Sequence, residues 1–338
     1  MLIRLHAARF GGTSDDEFLH VANGTSTTMT IEAARIPGAV SIWADPLHDG
    51  PVPGGLSDAE LLDVRARHLG GDDEPSFSDT VRGLTEWRRV IADHTSYGEL
   101  VLWYEHDLFC QLNLIQLLTW IREHVPPSRP VSLICIDSYP GRPSFKGLGE
   151  LTVSELAPLL DTRQPVTDEQ YAVAGRVWHA FREPTPEPLD RQRESDTSAL
   201  PYLASAITGF LREFPWTTDG LSRSERRLLQ LTAAGSLTLA EAFPRMDDRQ
   251  RAYYVTDTSL NDLADELAAS TPPLLTASGG EMLRRTVAIT DTGREVLAGR
   301  LDRVAVCGLD RWCGGTHLQT GNMWRWDEDR QRIGRAWS

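Results

Sequence analysis

Short apolar runs alternate with helical patterns in the first half of the chain. Runs typical of buried strands cover residues 18–22, 39–43, 100–104 and 131–136. From Leu108 to Ile121 the apolar positions recur at three and four residues, which is the period of an amphipathic helix. Apolar runs with helices between them are typical of a helix-covered parallel sheet. The pattern therefore predicts an α/β fold with a Rossmann-like, mostly parallel sheet.

The polar side chains near the ends of these runs are the main candidates for a functional site. The carboxyl ends of parallel strands lie along one edge of a sheet, where open α/β sheets bind ligands. We therefore expect the side chains to converge on one pocket. The candidates for catalysis are His48, His106, Asp45, Glu105 and Asp107. The candidates for substrate binding are His20, Asn23, Ser26, Gln111, Asp137, Arg142 and Lys146.

These residue types favour acid–base chemistry. Imidazole titrates closest to neutral pH, and a neighbouring carboxylate can orient the ring and raise its pKa. His48 or His106 is therefore the expected general acid or base. Carboxylates and imidazoles could also hold a divalent metal, but no HxH or HExxH spacing supports one, so the cofactor stays open. Arg142 and Lys146 lie in a Gly-rich loop, residues 140–149, that could hold an anion or could simply be solvated.

The second half of the chain predicts a different organisation. A proline-rich stretch, residues 184–188, favours a domain boundary. Helical patterns then cover residues 222–233, 239–243 and 258–268 and precede a predicted hairpin with a turn at Gly279-Gly280. Three helices and a two-stranded wing are the plan of a winged-helix domain. The tryptophan-rich tail predicts a further hairpin around Gly321-Asn322.

The chain thus divides into four predicted parts. They are a flexible leader over residues 1–17, the Rossmann-like domain with the candidate site over residues 18–160, a helical connector over residues 161–215, and the winged-helix-like domain with the tail over residues 216–338.

Charge and composition narrow the possible partners. The 338 residues carry a formal net charge of -14, which opposes binding to nucleic acid. The helix that would enter a DNA groove carries Asp262, Asp265 and Glu266 without a basic residue, so we expect the module to pack, dimerise or cover the site. No apolar segment approaches the roughly 18 residues that span a bilayer. Four scattered cysteines and no secretory signal favour a cytoplasmic location. Among these cysteines, Cys110 lies in the first turn of a predicted helix, where a lowered thiol pKa could make it a nucleophile.

Five motifs carry a resemblance to a known family. They are LHVANG at residues 19–24, DPLHDGPVP at 45–53, EHDLFCQL at 105–112, FKGLGEL at 145–151 and RWCGGTHL at 311–318. Together they resemble the bacterial family called domain of unknown function 1835, over nearly the whole chain. The resemblance implies a domain plan and signature residues but no agreed activity. Cys110 stands where the family's EHDLxDQ pattern has an acidic residue, and Thr25 where an aspartate is typical.

Three functions are open. The chain could be an enzyme that acts on a small polar or phosphorylated substrate by hydrolysis or group transfer. It could be a winged-helix regulator that senses a small polar or anionic ligand, or a protein-interaction module. A homodimer is one of the assemblies that it could form. The histidines and carboxylates could also form only a buried structural network.

Overall fold

The computed structural model describes residues 16–143, 145–247 and 252–335. Residues 1–15 of the predicted flexible leader lie outside the described residues. The leader prediction is wrong for residues 16 and 17, because the first strand begins at Asp16.

The described residues form strands β1 (Asp16–Ala22), β2 (Ala39–Ile42), β3 (Gly50–Pro51), β4 (Tyr97–Glu105), β5 (Val131–Ile136), β6 (Gln164–Pro165), β7 (Leu237–Thr238), β8 (Leu275–Ser278), β9 (Thr286–Ile289), β10 (Arg311–Gly314), β11 (Thr316–Leu318), β12 (Trp324–Asp327) and β13 (Arg332–Arg335). The helices are α1 (Thr25–Ala33), α2 (Asp58–Gly70), α3 (Ser76–Ala92), α4 (Leu108–His124), α5 (Val153–Leu156), α6 (Asp168–Phe181), α7 (Glu187–Glu194), α8 (Leu203–Leu211), α9 (Arg223–Thr232), α10 (Leu239–Met246), α11 (Asp257–Ala269), α12 (Asp291–Leu297) and α13 (Arg303–Cys307).

The main sheet has the strand order β2-β1-β4-β5-β6. The first four strands in this order run parallel, and the short β6 pairs antiparallel with β5. The prediction of an α/β fold with a mostly parallel sheet is confirmed. The connection from β1 goes to one side of it, to β2, and the chain then returns to β4 on the other side. The topological switch point therefore lies between the carboxyl ends of β1 and β4.

Helices cover both faces of this sheet. The core on one face contains residues of α2, α3 and α4 and continues into α6, α7 and α8. The core on the other face includes Ile31 of α1 and Leu156 of α5, packed with Trp103 of β4. Because both faces are covered, the site must lie at an edge of the sheet rather than on a face.

Helix α4 is buried around most of its circumference, whereas its sequence pattern predicts an amphipathic helix. It packs against β4, α6 and α8. Its polar residues on the buried faces have specific partners: Trp43 Nε1 donates to Gln116 Oε1 at 2.8 Å, and Asn113 binds the backbone N–H and C=O of Asp45. The polar positions that resemble a solvent face thus bind the loop after β2.

Arg65 of α2 holds this loop from the other side. Its guanidinium forms a buried ion pair with Asp45, with 2.7 Å between Nη2 and Oδ1, and its Nε contacts both carboxylate oxygens. It also donates to the backbone carbonyls of Pro46, Asp49 and Pro51. A single side chain therefore fixes the course of residues 45–51.

A separate core lies within residues 221–247 and 252–297. It contains α9, α10, α11 and α12 and the antiparallel sheet β7-β9-β8. The tail does not join this core: Trp324 and Trp326 are buried in the larger core of the sheet domain, and β10 pairs in parallel with β3. The predicted hairpin with Gly279-Gly280 in its connection forms as β8 and β9. The hairpin predicted around Gly321-Asn322 is wrong, because β11 pairs with β10 and β12 pairs with β13, and only an isolated bridge joins Gln319 and Asn322. The domain boundaries and the winged-helix assignment stay predictions. No helix in the described ranges is long and apolar enough to cross a membrane.

We expect Arg65→Met to lower the free energy of unfolding by about 3–5 kcal/mol, because it leaves the buried Asp45 carboxylate without its cation. Urea-induced unfolding would measure this. The control is Arg82→Met on α3, whose exposed pair with Asp79 should contribute less than about 1 kcal/mol. Equal effects of the two substitutions would contradict the role given to Arg65.

Candidate functional site

Asn23 and Glu105 meet at the switch point. Asn23 follows β1, and its Nδ2 donates to Glu105 Oε2 at 3.1 Å. Glu105 is the last residue of β4 and is buried, and its other carboxylate oxygen accepts a hydrogen bond from the backbone N–H of Leu148. A Cβ atom on Gly147 would lie 2.7 Å from Glu105 Oε2, so this approach of the 147–148 segment requires glycine. The carboxyl group is therefore enclosed by three separate parts of the chain.

Asp107 and Gln111 organise the junction between β4 and α4. The Asp107 carboxylate caps the helix by accepting the N–H of Cys110 at 2.7 Å. Gln111 Nε2 donates to the carbonyl of Glu105 at 2.6 Å. These two hydrogen bonds hold the backbone of residues 105–111 in place, and with it the positions from which the Glu105 and Asp107 side chains extend.

Glu105 and Asp107 form a buried carboxyl pair. Burial raises the pKa of both groups, and the neighbouring Asp107 charge raises the pKa of Glu105 further. Neither carboxyl has an ion pair with a basic side chain within the described part of the chain. A carboxyl pair of this kind can hold a proton near neutral pH, which a proton-transfer catalyst requires.

Cys110 lies beside this pair as a thiol. Its Sγ donates to Glu105 Oε2 at 3.3 Å. Burial, followed by the charges of Asp107 and Glu105, raises its pKa well above the ordinary value. A nucleophilic cysteine needs a lowered pKa, so the nucleophile hypothesis for Cys110 is not supported.

Glu105, Asp107 and Cys110 also offer three possible metal donors, one atom from each residue, within 4.8 Å of one another. Their hydrogen bonds, however, connect them to each other and to Asn23 and the backbone. A bound metal ion would deprotonate the thiol and replace these hydrogen bonds. The three residues therefore offer either a proton-sharing network or a set of metal donors.

A cavity of about 200 Å³ lies between the two cores and includes His48 in its lining. The His48 ring contacts Tyr254 edge-on, with 5.3 Å between ring centroids, and Tyr254 stacks on Phe109 at 4.7 Å. The pKa of Tyr254 is raised by burial and further by the negative charge of Asp107. Tyr254 therefore connects the cavity with the carboxyl pair.

The second half of the chain covers this edge of the sheet. The N–H of Leu108, at the start of α4, donates to the carbonyl of Ala252 at 3.0 Å. His106 is buried, with its ring edge-on to Tyr202 before α8 at 6.3 Å. The candidate site is thus closed by residues that the chain adds long after the sheet.

His48 does not have the properties predicted for it. Burial lowers its pKa to about 4, so its ring is neutral at neutral pH and is a weak base. Its Nδ1 is buried and has no hydrogen-bond partner among the described residues. It lines the cavity as a neutral imidazole.

Several other predicted site residues lie outside the cluster. His20 is in the core, where its Nδ1 accepts from Trp103 Nε1 and its Nε2 binds the carbonyl of Pro37, so it is not a substrate ligand. Asp45 uses both carboxylate oxygens on Arg65 and is structural.

The predicted anion-binding residues are also dispersed. Arg142 forms a bidentate ion pair with Glu155, with Nε and Nη2 donating to its two carboxylate oxygens. Lys146 and Ser26 are exposed, and the side chain of Ser26 forms no cap of α1. Asp137 follows β5 and is half-buried, and its carboxylate accepts a hydrogen bond from the hydroxyl of Ser138. The predicted anion cradle does not form.

Sequence reasoning missed four contributors: Arg65, Gly147, Tyr202 and Tyr254. The glycines of FKGLGEL were a signal for Gly147, because glycine permits close approach of the backbone. Nothing near Tyr202 or Tyr254 in the sequence indicates contact with a strand end.

A larger groove of about 900 Å³ lies near Glu99 and Val131, at the opposite edge of the sheet from the carboxyl pair.

We expect the stability of the wild-type protein to fall more between pH 5 and pH 8 than the stability of Glu105→Gln. A carboxyl with a raised pKa in the folded state holds a proton that the unfolded chain releases at lower pH, so its burial costs stability as pH rises. The two proteins should differ by roughly 1–3 kcal/mol in this pH dependence, since one pKa unit corresponds to about 1.4 kcal/mol. Urea unfolding at both pH values measures it.

The pH dependence, rather than the absolute stability, is the readout because the amide also changes the hydrogen bonds with Asn23. Glu169→Gln, at an exposed position of α6, should keep the wild-type pH dependence. Parallel profiles for the wild type and Glu105→Gln would show that Glu105 is ionised in the folded protein at pH 5.

No protein-family model matches this chain, and no curated protein matches it significantly.

Proposed function

We propose that the protein is an enzyme that acts on a small polar substrate by proton transfer, in a hydrolysis or group-transfer reaction. The observation that supports this most directly is the Glu105–Asp107 pair at the switch point of a parallel sheet. Both carboxyls are buried, have raised pKa values and have no basic partner among the described residues. Such an arrangement is unfavourable for stability, so it supports a chemical role.

The pair can supply both an acid and a base. When two carboxyls share one proton, the protonated group can donate to a leaving group while the ionised one accepts a proton from the attacking group. Asn23 and the N–H of Leu148 orient the Glu105 carboxyl. The N–H of Cys110 orients that of Asp107. His106 lies between Glu105 and Asp107 in the sequence, and it stays the imidazole candidate for the same proton transfer.

The cavity beside Tyr254 is the proposed substrate site. Its position between two cores is typical of small-molecule sites. Tyr254 lines this space and stacks on Phe109, which lies two residues after Asp107 in the chain. In this proposal the substrate reaches the pair when the segment containing Ala252 and Tyr254 moves. The hydrogen bond from Leu108 to Ala252 holds that segment closed.

A second function is favoured by one further observation. The helices α9, α10 and α11 with the sheet β7-β9-β8 have the element order of a winged helix, and α11 contributes Ser259, Asp262, Leu263 and Glu266 to the cavity lining. A ligand in the cavity would touch the helix that regulators of this plan use for recognition. We propose on this basis that residues 221–297 form a winged-helix module and that it reports ligand binding to a protein partner.

We expect Glu105→Gln and Asp107→Asn each to lower kcat by at least about a hundredfold on a panel of chromogenic esters, amides and phosphoesters. Asparagine at 107 still caps α4, so its effect separates proton transfer from helix stability. Glu32→Gln, on an exposed position of α1, is the control and should keep wild-type turnover. Unchanged turnover in both site variants would exclude the carboxyl pair as the catalytic groups.

For the regulator, we expect no retardation of genomic DNA fragments at low salt. The wing residue Arg285 is paired with Asp265 of α11 at 2.6 Å, so this cation is not available to phosphate. A gel shift at about 50 mM salt tests this. A retarded band that disappears as salt increases would contradict the protein-partner form of the proposal and support DNA binding.

A further inference from the structure

Two aromatic rings of the cavity each have one face covered by another ring. Tyr254 is stacked on Phe109, with the ring planes 14° apart. Trp312 is stacked on His317, with centroids 4.5 Å and planes 7° apart. Tyr254 and Trp312 line the cavity, whereas Phe109 and His317 do not. The Tyr254 ring that lines the cavity is therefore backed by Phe109 and met edge-on by His48, and the Trp312 ring is backed by His317.

Three carboxylates of the cavity wall have no arginine partner within the described ranges. The carboxylate of Asp49 pairs with an imidazole, with 3.4 Å between its Oδ2 and His68 Nε2, and Arg65 binds the backbone carbonyl of the same residue. Glu213 accepts hydrogen bonds from the N–H and the hydroxyl of Ser224. Asp262 is exposed on α11. These groups give the cavity wall a negative charge.

The other charges around the cavity do not cancel this. Arg311 and Glu266 line it, but they belong to a balanced network in which the two arginines Arg311 and Arg303 bind the two glutamates Glu225 and Glu266. Arg223 lies over the ring of the lining residue Tyr253, with 3.8 Å from Cζ to the centroid. His48 stays neutral because burial lowers its pKa.

We infer that this cavity binds a small organic cation, with its ammonium group near Glu213 and Asp262 and its alkyl groups against Tyr254 and Trp312. Aromatic faces attract ammonium ions, and the attraction is greatest where water is excluded. An anionic ligand would instead approach three carboxylates. This inference rests on the proposed function, for which it names the substrate class, and it replaces the expectation of an anionic ligand.

Three probes of similar shape and different charge test the inference. They are choline, its neutral isostere 3,3-dimethylbutan-1-ol, and the anion 3,3-dimethylbutanoate, each titrated into the full chain by calorimetry or ligand-observed NMR. We expect choline to bind at least about fivefold more tightly than the alcohol, on the scale of a cation–π contact, and the anion to bind most weakly. Equal binding of choline and the alcohol, or no binding of choline, would overturn the inference.

Two variants locate the binding. Glu213→Gln and Asp262→Asn should each weaken choline binding about threefold or more and leave the alcohol unchanged, because only the cation interacts with the lost charge. Asp262 has no hydrogen bond that its replacement would break among the described contacts, so Asp262→Asn separates charge from folding. Glu169→Gln removes the same charge far along the chain, on α6, and should leave choline binding unchanged. An equal loss in the control would mean that choline responds only to net charge.

This experiment is independent of turnover. If choline binds as expected and Glu105→Gln keeps full activity, the cation site stands and the catalytic assignment fails. If the carboxyl variants abolish turnover but choline does not distinguish itself from the alcohol, the enzyme proposal stands and the cation inference fails.

Discussion

The carboxyl group of Glu105 is buried at the end of a central strand, and no basic side chain of the described ranges pairs with it. Burying such a group is costly unless hydrogen bonds replace those of water. The replacements come from Asn23 after β1, Cys110 on α4 and the N–H of Leu148 after β5. Three connections of the sheet must therefore reach one point together, and the edge of the sheet is closed where an open α/β sheet would have a crevice.

The convergence of Asn23, Glu105, Asp107 and Gln111 could be predicted from the sequence because it follows from a local rule. Apolar runs identify strands, and parallel strands place their carboxyl ends together. The rule fixes where a strand ends but not what each side chain binds. His20 lies within β1, and its two nitrogens are used by Trp103 and Pro37, which no local pattern connects to it. Arg142 was expected to bind an anion, but its guanidinium binds Glu155 of the following helix, α5.

Long-range contacts explain the remaining differences. Asp45 follows the end of β2, where a site residue is expected. It is nevertheless bound by Arg65, which belongs to α2, an element that comes later in the chain. Tyr254 and Ala252 reach the start of α4 from a second core, and the tail returns to the first core through β10 and Trp326. Hydrophobic periodicity indicates that such segments are buried. It does not indicate against which part of the chain they are buried.

The same closure makes catalysis and sensing compatible. The cavity has one wall on the sheet domain, at His48, and another on α11, so a ligand that contacts both walls binds the closed arrangement better than an open one. The N–H of Leu108 lies at the start of a helix, where no carbonyl of the helix can accept it. In the closed segment the carbonyl of Ala252 accepts it instead. A net contribution of about 1 kcal/mol from this hydrogen bond is small enough for ligand contacts to outweigh. Under the proposed function, opening of this segment would admit a substrate to the carboxyl pair, and it would also change the surroundings of α11.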